Sequence, residues 1–426
     1  MKLDDRLTRA IRSSISMSVF KVVQILVTIF TLPLVLSALG NSDFGIYIAI
    51  QAFATWFLFD NGLTESIKKV IIDGKHQADW TSINKTVTTG LIILSLFSSL
   101  IFFVLYFFEE FFSFGEWLFG NKDVNYISLW LIVLIIIPLR LIRDILTGLE
   151  RGYVFSNFNL FTPLIQLVLT LYGVYSDRGV SYYVLTLFIP QLSSLILCWG
   201  YLIINPKSRL KISFKYFDLK SICDIKKDAV HFFMLGFSLM IINTADPFVI
   251  NLISGPEITA EFSFIYRIGV YATIMMSFIV YPMWPAIGSA ISTGDLEWAK
   301  EKTKKLILIS TVFGGLISLL LAFLGQNIVS VWSKGLINVS ELSVILISLF
   351  TFFKIVTTTM STILKAYGEV EGQAKITFFE AILHIILLVP FSYYFGLDGA
   401  CFSILISIMF TRGIYMPMKI REIVIR

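Results

Sequence analysis

Apolar stretches of about 20 residues or more recur along the chain, and the short polar loops between them alternate between basic and nearly bare. A hydrocarbon core of roughly 30 Å is crossed by about 20 helical residues, so runs of this length predict membrane-spanning helices. Barrel strands would alternate polar and apolar positions, and these runs do not. The pattern places spans at approximately 14–38, 44–67, 86–108, 126–147, 157–176, 180–204, 229–253, 260–288, 306–329, 342–366, 375–395 and 399–418. The first run is too long for a signal-peptide core, and Leu32 to Gly40 offers no small-residue cleavage site, so it is read as a retained span. Twelve spans return both termini to one side.

The loop charges choose that side. Lys and Arg in the basic loops and at the termini number 25, against Lys122, Arg178 and Lys334 in the opposite loops. By the positive-inside rule the basic face is cytoplasmic, and both termini with it. Composition agrees with a membrane setting: of 426 residues 56% are hydrophobic and only 15% charged, too little polar surface to clothe a soluble body of this size. The net charge of +5 is accounted for by the topology signal and gives no argument for nucleic-acid binding. Cys198, Cys223 and Cys401 are too few and too scattered for a disulfide framework or a metal cluster, and read as packing residues.

The longest loop between spans, 205–228, divides the chain into an N-terminal six-helix bundle, 1–204, and a C-terminal one, 229–426. Within it RLKISFKYFDLK interleaves basic residues with Phe214, Tyr216 and Phe217, as expected either of a segment on an anionic membrane surface or of an ordinary charged linker. The halves echo each other. Pro33 and Pro247 lie 214 residues apart, Gly40 and Gly255 lie 215 apart, and ILTGLERG from Ile145 and ILKAYGEVEG from Ile363 are 218 apart. Six spans per half make the repeats parallel, related by an axis along the membrane normal, an arrangement in which two bundles can rock about a central cavity. The expected fold class is an all-α integral membrane protein of twelve transmembrane helices in two parallel-related bundles.

No motif for catalysis, a metal or a cofactor is present. His76, His231 and His384 have no zinc spacing, and there is neither a P-loop nor a Gly-Xaa-Ser-Xaa-Gly elbow. Charges inside the spans are more informative, because each costs on the order of 2.5 to 3.5 kcal/mol at a helix centre exposed to lipid. The basic ones are Lys21, Arg140, Arg143, Arg267, Lys354 and Arg412; the acidic ones are Asp60, Asp144, Asp246 and Glu380. Lys354 lies about twelve residues into its span, near the midplane, and is the leading candidate for a cavity cation. Arg267 lies about a third of the way in from the periplasmic side, and Lys21, Arg140 and Arg412 lie in the cytoplasmic third. Arg143 and Asp144 are near enough to the surface for snorkelling or local pairing.

Simple ion pairing stays open for several of these charges: Asp246 with Arg267, Lys21 with Asp60, and Lys354 with Glu380 are couples at similar depth on consecutive spans. Glu380 and His384 stand one helical turn apart, which fits a proton or sodium relay or a polar patch satisfied between helices. The cationic excess favours an anionic substrate, since Arg offers planar bidentate contacts to phosphate and Lys a point charge.

Four segments carry a family likeness: PLVLSALGNSDFGIYIAIQAFATWFLFDNGL from Pro33, the Asp246-Pro247 pair, SGPEITAEFSFIYRI from Ser254, and YPMWPAIGSAISTGD from Tyr281 before a Lys-rich helix. With twelve spans in two halves, the chain resembles the Wzx-type O-antigen and polysaccharide flippases of the multidrug/oligosaccharidyl-lipid/polysaccharide exporter superfamily. The resemblance implies a MATE-like, V-shaped pair of bundles in a bacterial inner membrane. It implies as substrate an undecaprenyl-diphosphate-linked oligosaccharide, moved by alternating access in lipopolysaccharide or related polysaccharide biosynthesis. Membrane lipids, and the polymerase and chain-length regulator of the same pathway, are the partners it suggests. Residue by residue it carries over Asp60 and Asp246 as structural or coupling acids and Arg267 as a cavity cation. Two other functions compete: a drug or cation antiporter of the same superfamily, against which the cationic excess argues, and a polymerase or ligase of lipid-linked glycan, against which the short periplasmic loops argue.

Overall fold

The computed structural model describes residues 3–58, 63–204, 209–223 and 226–425, and Asp60 lies outside them. All regular structure among these residues is helical. Among the described residues, nine helical stretches are long and apolar enough to cross a membrane. Two of them, Ser18–Phe57 and Glu371–Ile423, each carry two of the spans expected from sequence, broken at Gly40 and Gly396. The expected span 126–147 is built from two shorter helices, because Pro138 removes a backbone donor and a new helix starts after Arg140.

Packing divides the chain into one unit of Met1–Leu39 with Ile50–Phe237 and another of Gly40–Ala49 with Ser238–Arg426. The division at Phe237 falls inside the seventh span, and ten residues of the first hairpin group with the later part of the chain.

The first unit contains most of α1 (Leu3–Phe57), then α2 (Leu63–Gln77), α3 (Trp80–Phe112), α4 (Phe114–Phe119), α5 (Tyr126–Leu139), α6 (Leu141–Gly148), α7 (Gly152–Asn159), α8 (Phe161–Tyr175), α9 (Val180–Ile204) and the four-residue α10 (Lys220–Cys223). Its core is apolar, with Trp130, Tyr183, Ile67, Ile71 and Ile83 fully buried and Phe53 edge-on to Trp130 at 5.5 Å. Polar side chains tie the helices where the hydrocarbon offers no water: Trp199 Nε1 donates to Leu139 O at 2.9 Å, and Ser98 Oγ donates to Leu134 O. Toward the basic-loop face, Lys75 Nζ meets Glu150 at 2.9 Å and donates to Leu149 O at 3.1 Å, so this loop cation also locks α2 onto the turn after α6.

The second unit contains α11 (Lys226–Ser254) from Ser238 on, α12 (Pro256–Ser292), α13 (Leu296–Trp332), α14 (Glu341–Ala366), α15 (Glu371–Phe410) and α16 (Arg412–Ile425). The helical segment Gly40–Ala49 is built into it. Asn41 Nδ2 donates to Leu336 O at 3.0 Å, Phe44 packs against Phe264 at 5.6 Å, and Phe264 meets Trp332 edge-on at 4.8 Å. Gly45 lies so close to α12 that a Cβ there would sit 1.8 Å from Pro256 O.

The echo in the sequence recurs in the backbone. Gly40 has φ/ψ of 77°/172° and Gly255 has 90°/172°, a conformation that residues with a Cβ essentially do not adopt. Ala78 and Gly294, 216 apart, are both left-handed, and each is followed by an aspartate capping the next helix: Asp79 accepts from Ser82 N at 3.0 Å and Asp295 from Trp298 N at 3.2 Å. Glu150 and Gly368, 218 apart, repeat the left-handed turn. Asn125 and Ser340, 215 apart, cap α5 and α14 by accepting from Ser128 N and Ser343 N, each at 3.0 Å. Helix starts and turns thus recur at a near-constant offset through both halves.

Candidate functional site

The second unit buries a chain of charged side chains contributed by four helices. On α15, Glu380 and His384 are one turn apart and share a buried face. Glu380 faces the C-terminal helix: its Oε2 accepts from Arg412 Nε at 2.6 Å and from Thr411 Oγ1 at 2.8 Å, while Oε1 accepts from Arg412 Nη2. This is a bidentate guanidinium–carboxylate contact, with the two side chains 8% and 2% exposed. His384 faces α11, where its Nε2 contacts Asp246 Oδ1, both side chains being 2% exposed. Asp246 Oδ2 and His384 Nδ1 are buried with no hydrogen-bond partner among the described residues.

Lys354 occupies the more open end of this network. It is half-buried on α14, its Nζ donating to Asn243 Oδ1 at 2.8 Å and lying 5.7 Å from the centre of the Phe350 ring. Asn243 is exposed and is itself oriented by donating from Nδ2 to Leu239 O at 2.6 Å. Lys354 remains within electrostatic reach of Arg412, Glu380 and Asp246. Behind it Phe350 stacks on Tyr266 at 5.9 Å, and Tyr266 on Phe262 at 5.3 Å, a buried aromatic stack that supports the helix carrying Lys354.

The candidate residues read from sequence fall into two groups. Asp246, Glu380, His384, Arg412 and Lys354 come together in the second unit, and Arg267 is half-buried on α12 of the same unit, within electrostatic reach of Tyr47. Lys21 and Arg140 belong to the first unit. Lys21 is exposed on α1, donating to Gln24 Oε1 at 3.3 Å, and Arg140 is half-buried at the junction of α5 and α6. The couples are not those that the sequence left open: Glu380 pairs with Arg412 rather than Lys354, and Asp246 contacts His384 rather than Arg267. A planar guanidinium can satisfy both oxygens of a buried carboxylate, which a single ammonium cannot. Asn243 and Thr411 are site residues that a reading of charges passes over. The spacing Asn243-Thr-Ala-Asp246 and the adjacency of Thr411 to Arg412 are the signals that could have found them.

The network holds two cations, Lys354 and Arg412, and two carboxylates, Asp246 and Glu380, so it is neutral when His384 is neutral and carries one positive charge when His384 is protonated. It can therefore change charge by one proton at a point within electrostatic reach of a half-buried ammonium.

The sequence profile of the family described as "Polysaccharide biosynthesis protein" matches residues 10–291, about two thirds of the chain. No curated protein matches it. Among solved structures, a multidrug resistance MATE family transporter of the MOP superfamily in its inward-facing conformation superposes with a TM-score of 0.72 at 14% identity, covering 95% of this chain and 98% of that one. An outward-facing conformation of such a transporter gives a TM-score of 0.63 at 16% identity, over 97% and 96%. A MOP superfamily transporter from Pyrococcus furiosus Vc1, whose binding pocket is described as having reverse polarity, gives 0.60 at 15% identity, over 98% and 96%. At these identities the likeness establishes the fold, that of multi-pass membrane transporters.

Proposed function

The chain belongs to the polysaccharide biosynthesis protein family, and from that premise we propose that it is a flippase for undecaprenyl-diphosphate-linked oligosaccharide repeat units. It moves them from the cytoplasmic to the periplasmic leaflet of a bacterial inner membrane by alternating access, with the basic loops and both termini in the cytoplasm. The observation that carries the reading is Lys354: a half-buried ammonium deep in a span, held by Asn243 and backed by a buried, proton-accepting network. A diphosphate gives that ammonium the counter-charge it lacks at close range.

The chemistry of coupling follows from the charge count. Protonation of His384 neutralises the field of Asp246 at Lys354 and leaves the ammonium free to attract an anion; loss of the proton restores Asp246 as a competing counter-charge. A proton with different affinities in the two conformations biases the equilibrium between them, and one with equal affinities would shift nothing. A drug or cation antiporter shares the fold, but it would use carboxylates free of cationic partners. Here Glu380 is gripped by Arg412 and Asp246 is in contact with His384. The polymerase and chain-length regulator of the same pathway are the protein partners that this role implies.

The test is transport of a defined lipid-linked repeat unit into the opposite leaflet of proteoliposomes, with and without a proton gradient. Movement of the glycan lipid, faster with the gradient, supports the reading. Export of cationic drugs with no movement of the glycan lipid would replace it with the antiporter.

A further inference from the structure

The segment Arg209–Cys223 plays no part in the transport cycle above, yet it is firmly held. Lys211 N donates to Asn84 Oδ1 at 2.9 Å, and the Arg209 guanidinium lies 5.8 Å from the centre of the Trp80 ring. Lys85 Nζ meets Asp218 Oδ2 at 2.9 Å, Asp218 N donates to Thr89 Oγ1 at 2.9 Å, and Asp218 Oδ1 accepts from Lys220 N at 3.1 Å. The segment is therefore a strap pinned along the first turns of α3, where the chain enters its apolar run.

Although ordered, the strap keeps its apolar side chains on the outside. Ile212, Phe214, Phe217 and Leu219 are all exposed, Phe214 by 84%. A strap bathed in water would turn such residues inward. Arg209, Lys211, Lys215 and Lys220 are exposed among them. Asp218, the one acid between 209 and 223, is half-buried and paired with Lys85, so the exposed side chains are cations, hydrocarbon and the hydroxyl of Ser213. That combination, at the level where a span leaves the hydrocarbon, matches one environment: a phospholipid headgroup layer bearing negative charge.

We propose that the strap Arg209–Lys220 is an interfacial anchor. It inserts Ile212, Phe214, Phe217 and Leu219 at the boundary of headgroups and acyl chains, and binds anionic phospholipid headgroups through Arg209, Lys211, Lys215 and Lys220. The anchor is independent of which substrate is carried.

The test uses the full chain in proteoliposomes with a spin label at Phe214→Cys in a Cys223→Ser background, Cys198 and Cys401 being buried. In vesicles rich in phosphatidylglycerol the label is expected to collide more with dissolved oxygen than with an aqueous nickel chelate. In pure phosphatidylcholine, or with Lys211→Gln, Lys215→Gln and Lys220→Gln combined, it shifts toward the aqueous collider. Inorganic phosphate added to phosphatidylglycerol vesicles leaves it in place. A label equally open to the chelate in every lipid overturns the proposal and points to a protein occupant. Release by inorganic phosphate overturns lipid as the anion. Unchanged gel-filtration behaviour of the triple variant separates loss of anchoring from loss of folding.

Discussion

Arg412 grips Glu380 side-on, Nε to Oε2 at 2.6 Å and Nη2 to Oε1, within the buried face shared by α15 and α16. Such a pair is costly to break from one side, because the remaining charge is stranded in a medium that cannot solvate it. Arg412→Leu alone is expected to destabilise the protein by on the order of 3–5 kcal/mol, whereas Glu380→Leu with Arg412→Leu recovers most of the loss. Thermal unfolding of the detergent-purified variants reads this directly. A single variant as stable as the parent means the pair is not a structural clamp.

This contact also marks the limit of what the sequence makes legible. Depth along a span is encoded in residue number, and by depth Lys354 and Glu380 form a reasonable couple on consecutive spans. Rotation about the helix axis, which decides that Glu380 turns to Arg412 and Lys354 to Asn243, depends on how the helices pack. Asn243 and Thr411 carry no charge, so a search for intramembrane ions misses them although they complete both ends of the network. The pseudo-repeat is legible for the opposite reason: Gly40 and Gly255 satisfy a purely local backbone requirement, and it leaves the same mark twice. The grouping of Gly40–Ala49 with the second unit has no sequence signature, since the turn is local and the packing against Phe264 and Pro256 is long-range.

Lys354→Ala is expected to abolish surface polysaccharide while leaving membrane abundance unchanged. Asn243→Ala removes one hydrogen bond to a charged group, worth about 1.5–3 kcal/mol, and slows transport by roughly tenfold or more if that bond orients Lys354 in the rate-limiting step. Glycan transport into proteoliposomes, normalised to protein, separates these effects from expression. Normal polysaccharide in the Lys354→Ala strain would remove the ammonium from the substrate site.

His384→Gln preserves a side chain able to donate to Asp246 Oδ1 but cannot take up a proton. The variant should fold, accumulate in the membrane and lose the acceleration that a proton gradient gives to the parent, so that its rates with and without the gradient coincide. Persisting acceleration would place the coupling proton elsewhere.

Gly40→Ala and Gly255→Ala probe the repeated turn. Each forces a Cβ into a backbone region that costs about 1–3 kcal/mol, so both variants should lower the melting temperature by similar amounts. Gly45→Ala should be at least as damaging for a different reason, the 1.8 Å approach of its Cβ to Pro256 O. A tolerated Gly40→Ala beside a damaging Gly255→Ala would mean that the two turns, though alike in conformation, differ in how far they can relax.

Asp218 supplies a pH test of the strap. The hydrogen bond from Lys85, then that from the Lys220 backbone N–H, hold its carboxyl below the usual aspartate value. A carboxylate depressed in the folded state stabilises above its unfolded pKa, near 3.9, and loses that contribution as pH falls through the lower folded value. Amide exchange of residues 211–221, corrected for intrinsic rates, should therefore stay slow from neutral pH to about pH 4 and accelerate only below it. Asp218→Asn keeps the backbone hydrogen bonds to Thr89 but loses the ion pair to Lys85, so exchange should be faster at pH 7 and show no acid step. An acid step that survives in the Asn variant would assign the strap's release to another carboxylate.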